Sequence, residues 1–236
     1  MNIARIFKGI KRRMSRSPGQ EMVAKPSTPS GEDAFVYSQE WYDQSYHIGR
    51  VGVDHRTFED VRDQYETAGY HQRLNRVLDR IRVPDQSINW LEVGCHLGLT
   101  AYWIAERYPQ AHLFMFDFSN SSITWCKTWF PYKQRATIWQ GNVENISLPD
   151  DTMDNLFDFA TCIDVTEHLP EPTYQKMILE LLRVLKDGGS LILMQGNTPN
   201  VEHIHVLAED RLVSDFCSAG FKLVKRLPDR HYLLQK

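Results

Sequence analysis

The 236-residue chain predicts an α/β fold, a doubly wound and mostly parallel sheet closed by an antiparallel terminal hairpin. Three observations predict it. From about residue 57 onward, short apolar runs alternate with segments of helical periodicity. The first apolar run, INWLEV, passes directly into a turn carrying two glycines, GCHLG. Near the end, FKLVKRL and RHYLLQK are separated only by the turn PDR, and strands that close must pair antiparallel. Strand and helix in repeated alternation mean a parallel sheet covered on both faces. No repeat with a period of tens of residues interrupts this order.

The elements follow in sequence. VYSQEWYDQSY, residues 36–46, is aromatic and irregular. Residues 57–82 are predicted helical in two pieces broken near Gly69, the second carrying Tyr70, Leu74, Val77, Leu78 and Ile81 as one stripe. INWLEV is the first strand. Residues 99–108 form a helix stopped by Pro109. AHLFMFD is the second strand, and SNSSITWCKTWF opens on capping residues and reads as a helix. RATIWQ and LFDFATCI are the third and fourth strands. Residues 172–186 are predicted helical, with Tyr174, Met177, Ile178, Leu181, Leu182 and Leu185 inward and KDGG as a glycine stop. SLILMQ is the fifth strand. Residues 208–219 form a helix with Leu212, Val213 and Phe216 inward and Gly220 at its end, before the hairpin.

Composition bounds the function. An apolar share of 42% is ample for a packed core. A net charge of −3 offers no broad basic footprint for nucleic acid. Cys95, Cys126, Cys162 and Cys217 form no C-x-x-C pair, so a disulfide framework or zinc knuckle is not indicated and a reduced, cytoplasmic compartment is expected. No apolar run is long enough to span a bilayer. Charge is uneven, however. Residues 1–17, MNIARIFKGIKRRMSRS, carry six basic residues and no acid, with Ile3, Ile6, Phe7, Ile10 and Met14 at helical spacing. The pattern fits a basic amphipathic tail contacting an anionic membrane surface. It also fits a mitochondrial transit peptide or a disordered tail. Residues 18–33 are rich in Pro, Ser and Gly and read as a flexible linker. The domain plan is therefore tail 1–17, linker 18–33, an aromatic lid and helical segment 34–69, and a ligand-binding domain 70–236. In the lid, Phe35, Tyr37, Trp41, Tyr42 and Tyr46 are placed to close over a site, or to pack on a sheet edge.

In such sheets a ligand sits beyond the carboxyl ends of the strands. LEVGCHLG ends the first strand and opens the first helix there. Gly94 and Gly98 let backbone approach a ligand, and helix N-terminal amides favour anionic groups. Asp117 stands 19 residues after Gly98 at the tip of the second strand. An acid at that spacing accepts ribose hydroxyls, so loop and acid together indicate an adenosine-containing cofactor. GCHLGL does not supply the G-x-G-x-x-G of a dinucleotide site, which disfavours a nicotinamide oxidoreductase.

Six segments then occur in order: LEVGCHLG, FMFDFS, GNVENISLPDD, LFDFATCIDVTEHLPEP, LLRVLKDGGSLIL and CSAGFKLV. Over about residues 70–236 the chain resembles the class I S-adenosylmethionine-dependent methyltransferases of the small-molecule type. The resemblance implies a Rossmann-like sheet of seven strands whose last is antiparallel, and S-adenosylmethionine as cofactor. It places Glu92, Gly94 and Gly98 around the methionine part, Asp117 on the ribose, and Phe118 against the adenine. Asn142 and Val143 fall at the adenine edge, with Asn142 where the family often has Asp. Cys162 lines the other side. His96 stands where the family usually has glycine; it is positioned to meet the cofactor's carboxylate or to pack over it, and histidine tolerates unusual backbone angles.

The sulfonium is already activated, so catalysis is mainly alignment. A hydroxyl acceptor needs a base, for which His168, His203 and His205 are candidates and His168 is preferred. Asp164, Glu167 and His168 also match the E-x-x-E-H pattern of metal-dependent O-methyltransferases acting on quinones or RNA 2′-hydroxyls, with His203 or His205 as a fourth ligand. Many metal-free relatives carry a similar E-H, and no residue is assigned to a metal. The expected reaction is methyl transfer to a small-molecule acceptor, at a hydroxyl oxygen, with no nucleic-acid partner. A non-catalytic methyltransferase-like binding module is the remaining alternative.

Overall fold

The computed structural model describes residues 37–48, 57–148, 153–198 and 200–236. The tail 1–17 and linker 18–33 lie outside them, as does Phe35. The strands are β1 (Ile88–Val93), β2 (Ala111–Asp117), β3 (Ala136–Gln140), β4 (Phe157–Ile163), β5 (Leu185–Met194), β6 (Lys222–Leu227) and β7 (His231–Gln235). They form one seven-stranded sheet in the order β3-β2-β1-β4-β5-β7-β6. Strands β1 to β5 pair in parallel, and β7 runs antiparallel to both its neighbours. The hairpin is therefore not a simple addition to the edge. Its second strand inserts beside β5, and its first becomes the edge.

The helices are α1 (Gln39–Ile48), α2 (Phe58–Thr67), α3 (Tyr70–Leu78), α4 (Leu99–Arg107), α5 (Asn120–Trp129), α6 (Glu171–Val184) and α7 (Glu209–Ala219). Gly69, at φ +86°, breaks α2 from α3 as expected, and Thr57 and Asp60 build a reciprocal capping box on α2. Ser119 caps α5, accepting from the Ser122 amide. Two buried clusters, one on each face of the sheet, are sealed by these helices. Leu91, Val93, Phe157 and Tyr174 belong to one, and Trp90, Leu113, Ile104 and Phe130 to the other.

Two elements differ from the sequence reading. The segment read as irregular contains α1, because Ser38 starts a helix there: its hydroxyl accepts from the Trp41 amide at 3.2 Å. KDGG is no helix stop. Helix α6 ends at Val184, and Leu185 turns extended at φ −70°, ψ 143° while its amide still reaches Leu181. Lys186–Gly189 then belongs to β5, whose register with β4 shifts between Phe157 and Phe159. Gly188 sits at φ +78°, and a Cβ on Gly189 would lie 3.0 Å from the Phe157 carbonyl. Those glycines serve the irregular pairing.

Candidate functional site

At the carboxyl ends of β1, β2 and β4 lies a cavity of about 550 Å³. The turn after β1 forms its floor. Gly94 (φ +66°), His96 (φ +48°) and Gly98 (φ +76°) all take left-handed backbone. At Gly94 a Cβ would lie 2.7 Å from a Val165 methyl, so any side chain would displace that neighbour. The twist aims the His96 amide at Asp117, which it reaches at 2.8 Å, and the Ser119 amide donates to the other carboxylate oxygen at 2.9 Å. Asp117 is thereby held rigid at the tip of β2. Burial nevertheless pushes its pKa up to about 6, with the two amides opposing the rise. His96, buried, is pushed down to about 4 and is neutral. Its left-handed conformation is the tolerance expected of histidine.

Glu92, on β1, is 3% exposed. Burial raises its pKa to about 8, partly offset by the hydroxyl that Thr161 on β4 donates to it. A neutral carboxyl thus waits beside the glycine turn. Phe118 stacks on Tyr37 at a ring separation of 5.3 Å, with Tyr42 edge-on. Burial raises the pKa of both tyrosines well above the usual phenol range.

Opposite stands His168, in a single 3₁₀ turn after β4. Its Nε2 is 4.0 Å from Glu167 and its Nδ1 is 4.0 Å from Glu202. The rings of His203 and Tyr42 meet it edge-on at 4.8 and 6.2 Å. Glu167 is fully buried, accepts from the Gly196 amide at 2.9 Å, and is pushed up to about 8 by burial and by Asp164. The loop after β5 is pinned by Gln195, which donates to Thr166 and to the His205 carbonyl and accepts from the Leu207 amide.

Of the residues read from sequence, Glu92, Gly94, His96, Asp117, Phe118, Val143 and His168 line this one cavity. Gly98, Asn142 and Cys162 do not. Gly98 precedes α4, packed under Met115, Phe130 and Cys126. The Asn142 side chain accepts from the Glu144 amide. Cys162 is wholly enclosed in the core cluster that includes Leu91 and Val93. Among potential metal ligands, Glu167, His168 and His203 have donor atoms within 4.8 Å of one another. Asp164 is not in that group, and His205 instead pairs with Glu171 at 2.6 Å. Gln64, Tyr65, Trp103 and Glu202 complete the cavity wall without having been singled out in the sequence.

A mostly parallel sheet in this strand order, with a glycine turn and a carboxylate at adjacent strand tips, is the Rossmann-like class of α/β fold. Residues 91–189 match the family model described as a methyltransferase domain. Over residues 91–189 the chain thus matches a methyltransferase domain, for which S-adenosylmethionine is the cofactor.

Among curated relatives, a demethylmenaquinone methyltransferase of Listeria monocytogenes is 24% identical over 62% of this chain and 63% of its own. The match thus spans less than two thirds of that relative. A tRNA N(3)-methylcytidine methyltransferase of Schizosaccharomyces pombe is 29% identical over 47% of this chain and 45% of its own. Among solved structures, the [4+2]-cyclase SpnF matches with a TM-score of 0.55 at 25% identity, over 66% of this chain and 58% of its own. An Aquifex aeolicus SAM-dependent methyltransferase matches at 0.51 and 18% identity, over 64% and 83%.

Proposed function

We propose that the protein transfers the methyl group of S-adenosylmethionine to a hydroxyl oxygen of a small molecule, with His168 as the base. One observation carries the reading: a single cavity holds both halves of the required chemistry. Glu92, Gly94, Asp117 and Phe118 line it together with His168, and Tyr42 stands edge-on to both Phe118 and His168. In the proposed complex Asp117 accepts the ribose hydroxyls, Phe118 flanks the adenine, and Glu92 meets the methionine ammonium. Tyr37 and Tyr42 then close over the reacting groups as a lid and exclude water.

The lining supports a small acceptor. Among the described residues it includes Glu92, Asp117, Asp164 and Glu202 but neither Lys nor Arg, the cations that nucleic-acid phosphate calls for. Four free cysteines support a cytoplasmic setting. Purified protein is tested by thermal shift with S-adenosylmethionine, S-adenosylhomocysteine and NAD, then by S-adenosylhomocysteine release with hydroxylated acceptors. A shift with the first two alone is expected; a shift with NAD alone refutes the reading.

The Glu167, His168 and His203 cluster favours a second reading, in which a divalent ion lowers the acceptor hydroxyl's pKa. Chelation separates the two. Turnover that survives EDTA belongs to His168 as base, and turnover lost to EDTA and restored by a divalent ion belongs to the cluster.

A further inference from the structure

Asp43, on α1, reaches across to the start of α5, directly after Asp117 and Phe118. One oxygen of its carboxylate accepts from the Ser119 hydroxyl at 2.7 Å and from the Ser121 amide at 3.1 Å. The other accepts from the Gln39 side-chain amide at 3.3 Å, and the Ser121 hydroxyl donates back to the Asp43 carbonyl at 3.4 Å. Burial opposes ionisation, but the Ser119 and Ser121 donors hold the carboxyl below its usual range. A negative charge therefore rests at the amino end of α5, where the helix dipole favours it. Charge-assisted hydrogen bonds of this kind are the strong ones. Ser119 is shared between two acids. Its amide donates to Asp117 at 2.9 Å, while its hydroxyl donates to Asp43 and accepts from the Ser122 amide. The joint also fixes what α1 and the residues before it present to the cavity. Tyr37 lies face to face with Phe118, and Tyr42 meets Phe118 and His168 edge-on. With α1 seated, Asp117 is only 7% exposed.

We propose that Asp43 is a positioning residue of the cofactor site: it latches α1 over the cavity, and release of this latch admits and frees the cofactor. Asp43 does not line the cavity, so it acts through α1 and Ser119 and touches no ligand itself. The arrangement joins the lid to the acid expected on the ribose through a single buried serine, so that seating α1 and holding Asp117 in place are one event. Lids of this kind sequester a reaction from water and set rates of entry and release. That the ligand is S-adenosylmethionine rests on the methyltransferase reading; the latch on α1 does not.

The test uses the full chain as wild type, Asp43→Ala and Asp43→Asn, with two measurements. Stopped-flow tryptophan fluorescence, for which Trp103 in the cavity wall is a probe, follows S-adenosylmethionine entering and leaving. Asp43→Ala speeds both entry and release by about tenfold or more, the effect of one hydrogen bond to a charged group. Asp43→Asn keeps an accepting oxygen for Ser119 and Ser121 and stays within about threefold of wild type. Hydrogen exchange without any ligand is the second measurement. Asp43→Ala lowers the protection of the α1 amides by about tenfold and leaves β1 and β4 unchanged, which separates a released lid from a damaged fold. Unchanged rates in Asp43→Ala, or Asp43→Asn as fast as Asp43→Ala, overturn the proposal. So does release that quickens while entry does not, because a looser site and not an opened lid would explain it. A wild type that binds no S-adenosylmethionine refutes the methyltransferase reading, and the exchange of α1 still decides the latch: equal protection in wild type and Asp43→Ala overturns it.

Discussion

Glu92 gives the sharpest test of the site's electrostatics. Burial raises its pKa from 4.5 to about 8. A carboxyl raised on folding stabilises the native state fully below pH 4.5, and that stability is lost as pH rises toward 8. Between those limits the native protein holds one proton that the unfolded chain has released. Stability therefore falls by about 1.4 kcal/mol per pH unit on account of this group, or about 5 kcal/mol across the whole window. Asp117 and Glu167 add slopes of the same sign, so the diagnostic is a difference. Glu92→Gln keeps the size and the capacity to accept from Thr161 but cannot ionise. Urea unfolding of both proteins at pH 5.5, 6.5 and 7.5 should give a wild-type line steeper by about 1.4 kcal/mol per pH unit. Any altered hydrogen bond in the variant moves its line up or down without tilting it. Parallel lines would refute the reasoning, because Glu92 would then be ionised in the native state despite its burial. The same group links stability to binding. The ammonium of S-adenosylmethionine favours the carboxylate, so at pH 7 binding should release up to one proton. Calorimetry in two buffers of different ionisation enthalpy detects that release, and Glu92→Gln should abolish it.

Three further outcomes are expected. His168→Gln should lower kcat by about 10² to 10⁴ while leaving the S-adenosylmethionine shift intact, because a base acts on the acceptor; steady-state S-adenosylhomocysteine release checks this. Gly98→Ala forces a side chain into left-handed backbone 3.2 Å from Met115 and Phe130. The cost is about 2 kcal/mol, a fall in Tm of about 4 to 8 °C for a chain of this size, read by differential scanning fluorimetry. His96→Gly should keep cofactor binding, since the backbone amide, not the imidazole, reaches Asp117; titration of the variant showing affinity lost would assign the imidazole a contact of its own.

The legible and illegible parts of the molecule divide on physical grounds. Strands β1, β2 and β4 are buried over most of their length and so read as continuous apolar runs, which periodicity finds at once. The acids at their tips stand out because a carboxylate ending an apolar run has no packing reason to be there. Helix α1 escaped because its start depends on a single serine hydroxyl and its aromatics form no long stripe. KDGG misled because glycine after a cationic helix end is the usual stop. In this chain the leucine at position 185 ends the helix; Gly188 takes a left-handed φ, and Gly189 sits where a Cβ would press on the carbonyls of Lys186 and of Phe157, a neighbour in space from another strand. The site divides in the same way. Residues of the β1 turn lie together in sequence and carry their own glycine signature. Glu202, Tyr65 and Trp103 reach the cavity from three separate elements and carry none.

His96 shows why one residue can be both legible and misjudged. A side chain where glycine is usual looks like an obstruction to a closely approaching cofactor. In the fold the strained φ of +48° is what turns the His96 amide onto Asp117. Glycine would take that angle freely, so the contact the turn makes with Asp117 lies in its backbone, while the imidazole lines the cavity. The amide contact to Asp117 is made with histidine in place, which is why removing the imidazole, and not adding one, is the informative experiment.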